Sequence, residues 1–136
     1  MKHFQKLISI LVVVLICSSV SVAHSSDVMV EFTEIPKAGA GSDSQGNIAG
    51  VVKGISNPEN YKIVLYAHTD RWYVQPLTSD PYTDINSAGI WSNWTHLGYR
   101  YAALVVLDSF HPKAKIMTLP HVGGDVIARG EIAAAP

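Results

Sequence analysis

The residues best suited to chemistry in this chain are aromatic. Trp72 and Tyr73 stand side by side in HTDRWYVQP (residues 68–76), just after the polar corner Thr69-Asp70-Arg71. All nine Tyr and Trp residues lie between Tyr61 and Tyr101: Tyr61, Tyr66, Trp72, Tyr73, Tyr82, Trp91, Trp94, Tyr99 and Tyr101. Such side chains join an apolar ring to a polar handle. Their rings stack on the C–H face of a sugar while nearby amides, acids and guanidinium groups bond its hydroxyls. Arg71, Gln75, Asp80, Asp84, Asn86 and Asn93 supply those groups within the same span. The same chemistry serves a peptide or protein partner. Buried aromatics also fill sandwich cores, so each ring must be assigned to a core or to a ligand.

Alternation along a strand makes part of that assignment, because successive side chains point to opposite faces. Trp72 shares a face with Val74, and Tyr73 shares one with Gln75. One ring of the pair therefore belongs to a core and the other is free. By the same rule Trp91 is expected in the core and Trp94 partly exposed. Tyr82, in a loop fenced by Pro76 and Pro81, is expected to be the most exposed aromatic. The candidate ligand-binding set is Trp72, Tyr73, Tyr82 and Trp94 with Arg71 and Gln75.

Catalytic patterns are sparse. His68 and Asp70, two residues apart at a strand end, are expected on one side, where they could act as a base with its orienter or as half of a metal site. No H-x-H or H-E-x-x-H spacing accompanies them. No G-x-S-x-G elbow is present either. Gly123-Gly124-Asp125 suggests a tight turn without the following helix that a phosphate loop needs. Asn93-Trp94-Thr95 is a formal glycosylation sequon. No catalytic residue, metal or cofactor is assigned.

The elements that must position these residues read as strands. Residues 28–35 (VMVEFTEI) alternate, with the Phe32 side expected inward. Residues 37–47 form a polar, Gly-rich loop, and 48–54 (IAGVVKG) a second strand whose glycines suggest close packing. Asn57-Pro58-Glu59-Asn60 marks a turn. Residues 61–68 (YKIVLYAH) are apolar on both faces, as in a central strand. Residues 72–75, 83–86, 90–95 (IWSNWT), 99–107 (YRYAALVVL), 115–119 and 125–133 (DVIARGEIA) complete the set. Residues 83–86 and 90–95 read as a hairpin across Ser87-Ala88-Gly89, with Gly89 at a positive φ. About eight or nine short strands with turns every 8–12 residues suit a sandwich or barrel. The expected fold is all-β: a two-sheet antiparallel β-sandwich, Ig-like in general architecture. Its core is expected on residues 61–68, 90–94, 99–107 and 125–133.

The first residues read as a secretory signal peptide. Lys2 and Lys6 precede the apolar run 7–17 (LISILVVVLIC), and Ser21-Val22-Ala23 offers a small-x-small cleavage site after Ala23. The run is short of the roughly 20 residues that span a bilayer. Ile16 before Cys17 lacks the small side chain of a lipoprotein site. Domains are thus 1–23, the signal peptide, and 24–136, a single sandwich that is secreted or periplasmic and meets a membrane only during export. Cys17 is the chain's one cysteine and would leave with the signal, so the domain is disulfide-free and held by its core. That usage suits a bacterial envelope or secreted protein. The net charge is near neutral and no basic run exists, which gives nucleic acid no electrostatic footprint.

Four stretches, GNIAGVVKG (46–54), YKIVLY (61–66), RWYVQP (71–76) and GIWS (89–92), carry a resemblance. Together they resemble small secreted β-sandwich accessory modules found with bacterial glycoside hydrolases and other surface proteins, over residues 46–107. The resemblance implies a non-catalytic binding module with a polysaccharide or cell-surface glycan as ligand. It carries no defined binding residue over to this chain. Two alternatives stay open: a small secreted hydrolase centred on His68 and Asp70, or a structural or adhesive domain with a protein partner.

Overall fold

The structure, a computed structural model, describes residues 27–136. The expected signal peptide and Cys17 lie outside the described residues. Nine strands follow: β1 Met29–Glu34, β2 Gln45–Lys53, β3 Lys62–His68, β4 Trp72–Gln75, β5 Tyr82–Asp84, β6 Ile90–His96, β7 Arg100–Val106, β8 Lys115–Ile116 and β9 Val126–Ala133. One 3-10 turn, Pro58–Asn60, leads into β3. Two antiparallel sheets pack face to face. The smaller has the order β1-β2-β6, and the larger β8-β4-β3-β7-β9, with β5 sharing the β4 edge of β3. This is the A-B-E against G-F-C arrangement of an immunoglobulin-type sandwich.

Strands β3 and β7 are apolar on both faces, and the structure covers both. Their inner face (Ile63, Leu65, Ala67, Tyr101, Ala103 and Val105) packs on the small sheet through Ile48, Val52 and Trp91. Their outer face (Val64, Tyr66, Ala102, Leu104 and Val106) packs with Trp72, Val74 and Leu119, and Phe110 and Ile116 lie against it. Phe110, Ile116 and Leu119 come from the segment between β7 and β9, so this stretch acts as a third layer. A strand that is apolar on both faces needs such double cover.

A glycine fits the small sheet to its core. Phe32, Gly50 and Trp91 are neighbours across β1, β2 and β6. The Phe32 and Trp91 rings meet edge to face, with centroids 5.9 Å apart. A Cβ on Gly50 would lie 2.4 Å from Trp91 Cζ2 and 2.3 Å from the Glu31 carbonyl oxygen. Trp91 can lie flat in the core only because β2 presents no side chain there. The indole N–H has no hydrogen-bond partner among the described residues, so Trp91 contributes through volume and contact. Gly130 serves a similar purpose on β9, where a Cβ would press on Val30 and Phe32 of β1. There the two sheets close on each other.

Tyr101 fastens the start of β7. Its hydroxyl accepts a hydrogen bond from Gly98 N at 3.0 Å and donates to the Lys37 carbonyl at 2.9 Å. The bond to backbone three residues upstream is a tyrosine corner. Burial raises the pKa of the Tyr101 phenol.

Two expectations need correction. The turn after β5 forms, with Gly89 at φ 82° and Asn86 Oδ1 accepting from Ala88 N and Ile90 N. Yet β5 and β6 are no hairpin. β5 pairs with β3, while β6 pairs along its length with β2, so the turn passes the chain between sheets. The second strand also begins earlier than expected, at Gln45, because β6 is long enough to pair as far as Gln45 with His96.

Substituting Gly50→Ala should lower stability by about 2–3 kcal/mol, the upper range for overpacking, seen as a reduced urea midpoint. Alkaline stability provides a second check. Burial pushes the Tyr66 phenol up to about 12 from 10.0. The stability gained by keeping it neutral is complete below the ordinary tyrosine range and is lost as pH rises from there through the folded value. Urea midpoints measured across that window should fall for the wild type and fall less for Tyr66→Phe.

Candidate functional site

The small sheet is narrower than the sheet it covers. β1 lies over β9 and β7, and β6 lies over β3 and the nearer parts of β4 and β5. Beyond β6, the inner face of β4 has no strand above it. A cleft of about 640 Å³ opens there. Tyr73, Gln75, Pro76, Leu77 and Thr78 line it from β4 and the turn that follows. His96 ends β6 and Leu97 follows it, Gly41 and Ser42 come from the β1–β2 connection, and Lys115 of β8 adds to the wall with Ala114 just before it. Its wall is mostly apolar, with hydroxyls from Ser42, Thr69 and Thr78 and one ammonium group.

Hydrogen bonds seal the seam between the two sheets beside this cleft. Asn93 Nδ2 donates to Thr83 Oγ1 at 2.9 Å, joining β6 to β5. Gln75 Oε1 accepts from His96 N at 2.9 Å and lies 3.0 Å from His96 Nδ1, joining β6 to β4. Gln75 Nε2 donates to the Tyr73 carbonyl at 3.3 Å. Both ends of the Gln75 amide are therefore occupied within the protein, and the residue is only 4% exposed. Buried amides are retained where they find such partners.

Tyr73 is half-buried, and its hydroxyl donates to Asp70 Oδ1 at 2.9 Å. This bond favours the carboxylate, and it is the largest cause of the lowered Asp70 pKa; Thr69 and the charge of Arg71 add to it. The same bond raises the Tyr73 pKa. The pair fixes the ring at the cleft wall from the corner that precedes it.

The sequence-derived set divides accordingly. Tyr73 and Gln75 meet at the cleft, but Gln75 is turned toward His96 rather than outward. Trp72 points to the opposite face, as alternation requires. It is 6% exposed and packs edge-on to His68 at 4.8 Å, so it is a core ring and not a platform. Tyr82, expected to be the most exposed aromatic, is half-buried against the outer core. Its hydroxyl donates to the Phe110 carbonyl at 2.6 Å, which ties it under the outer layer. Tyr99 is the exposed ring, at 56%. Trp91 is buried and Trp94 half-buried. Trp94 packs edge-on to His96 at 5.1 Å but does not itself line the cleft. Arg71 is exposed at the corner and stands outside it.

His68 and Asp70 do not make a pair. His68 goes with Trp72 on the outer face, while Asp70 is bonded to Tyr73 on the inner side. The corner between them separates side chains that a continuous strand would have aligned. Among the described residues, no three His, Cys, Asp or Glu side chains converge as a metal site would require.

Sequence reasoning missed His96, Leu77, Leu97 and Lys115. They lie far from Tyr73 or in unpatterned loop text, and only the sheet topology brings them together. Comparison with known proteins found no matching family model, no matching curated protein and no matching solved structure.

Removing the Tyr73 hydroxyl should release Asp70. In Tyr73→Phe, an NMR titration of the side-chain carboxyl should place the Asp70 pKa closer to the ordinary aspartate value than in wild type. An unchanged titration would mean that this bond does not form in solution.

Proposed function

We propose that this protein is a non-catalytic saccharide-binding module and that the cleft beside β4 and β6 is its binding site. The observation that carries the reading is the make-up of the cleft. An aromatic ring held in place by Asp70 stands with Leu77, Leu97 and Pro76 among the hydroxyls of Ser42, Thr69 and Thr78. Apolar surface interspersed with a few fixed polar groups is the common character of small-ligand sites. A sugar presents the matching pattern, C–H faces alternating with hydroxyls. Fixing Tyr73 before the ligand arrives lowers the ordering cost of binding. The resemblance to secreted accessory modules points the same way, as does an open cleft rather than a closed chamber.

The hydrolase alternative loses its motivating pair with the separation of His68 from Asp70. The adhesive alternative would use an exposed sheet edge or face in place of the cleft, so mutations in the cleft distinguish it.

Affinity electrophoresis of the purified chain through gels containing xylan, β-glucan, galactomannan or pectin tests the proposal. At least one polysaccharide should retard the wild type. Tyr73→Ala should weaken that retardation about five- to ten-fold, from an aromatic contact worth about 1 kcal/mol. Tyr99→Ala, which removes an exposed ring outside the cleft, should leave it unchanged. Failure of every polysaccharide to retard the wild type, or equal loss in both variants, would overturn the assignment.

A further inference from the structure

We infer that His96 is the specificity-determining residue of this cleft, offering an unprotonated Nε2 that accepts a hydrogen bond from a ligand hydroxyl. The ligand half of this inference rests on the proposed saccharide site; the imidazole half rests on hydrogen-bond geometry alone.

The geometry begins with Gln75. At 2.9 Å from a backbone N–H, that end of the amide must be the oxygen, because an NH2 group there would set donor against donor. The other end meets the Tyr73 carbonyl at 3.3 Å, which needs the NH2. Two independent contacts thus fix the amide. The same oxygen lies 3.0 Å from His96 Nδ1. An amide oxygen has no hydrogen to give, so Nδ1 must carry the proton. In a neutral imidazole one nitrogen donates and the other accepts. The bare nitrogen is then Nε2, the ring atom left for an occupant of the cleft that His96 lines. Trp94, two residues back on the same face of β6, packs against the ring at 5.1 Å and restricts its rotation.

The remaining polar groups give this acceptor its importance. Lys115 can only donate, the hydroxyls of Ser42 and Thr78 can do either, and the Thr69 hydroxyl gives its hydrogen to Asp70 Oδ1. His96 supplies a fixed acceptor, and a sugar hydroxyl, unlike an ether or carboxylate oxygen, satisfies it. Gln75 is a positioning residue that acts through His96 and does not touch ligand.

Long-range 1H–15N correlation spectra of the purified, 15N-histidine-labelled chain, at a mildly alkaline pH where an ordinary imidazole is neutral, read the tautomer without any ligand. His96 should show a protonated Nδ1 and a bare Nε2. Gln75→Met, which removes the acceptor facing Nδ1, should lose that pattern. A wild-type His96 protonated at Nε2 overturns the inference even if saccharides bind. Binding is read with the oligosaccharide of whichever polysaccharide retards the wild type. His96→Ala should bind about ten-fold more weakly, the scale of one net hydrogen bond. Among monodeoxy analogues, one should bind the wild type about ten-fold more weakly than its parent and bind His96→Ala no more weakly. If no deoxy position behaves so, Nε2 accepts no ligand hydroxyl. If none of the polysaccharides binds, the saccharide site and the ligand half of this inference fail together, and the spectra alone decide the imidazole half.

Discussion

A wide sheet whose central strands are apolar on both faces governs this molecule. Neither face of β3 or β7 can meet water, so each must be covered. The small sheet covers the inner face, and the segment between β7 and β9 covers the outer one. The cost of leaving such strands bare, about 25 cal/mol for each Å² of apolar surface, makes both covers essential to the fold. The inner cover has three strands against a wider partner, and the cleft follows from that mismatch. On the β9 side Gly130 lets β1 approach closely enough to close the sandwich. On the β4 side nothing closes it, and the cleft lies there.

The seam beside the cleft is polar for the same reason. Where sheets meet over a dry core, side chains interlock without hydrogen bonds, as Trp91 does over Gly50. At the margin, water is near and the facing side chains are Gln75, Thr83, Asn93 and His96. Their bonds hold β6 at a set distance from β4 and β5. In the proposed site this arrangement ties folding to ligand contact. The contact that fixes the margin of the sandwich also determines which nitrogen His96 has to offer.

Much of the fold was legible in the sequence. Alternation and turn signals located all nine strands to within a few residues, placed Trp91 inside, and sent Trp72 and Tyr73 to opposite faces. The hairpin across Gly89 was misread because turn chemistry reports a reversal of the chain but not which strand pairs next. Tyr82 was misread because two flanking prolines mark a loop, yet a loop can still be packed under another layer, here by Phe110. The cleft itself was half legible. Tyr73 and Gln75 were found through local composition, whereas His96, Leu97 and Lys115 join them only through pairings across the sheets. The Gln75 amide shows the limit most clearly. Its residue type suggested a ligand contact, and its burial gives it to His96.

The connection between β1 and β2 is clamped at two points. Gly39 N donates to the Gly98 carbonyl at 3.2 Å, and Leu97 N donates to the Ser44 carbonyl at 3.0 Å, while Tyr101 holds Lys37 from below. Between those clamps only a short tip, residues 40–43, is left, and Gly41 and Ser42 from it form one bank of the cleft. Changes in the length or composition of the tip would reshape that bank without disturbing either clamp. A scaffold built this way separates the clamped segments that must stay intact from a four-residue tip whose length and composition are free to vary above an unchanged sandwich.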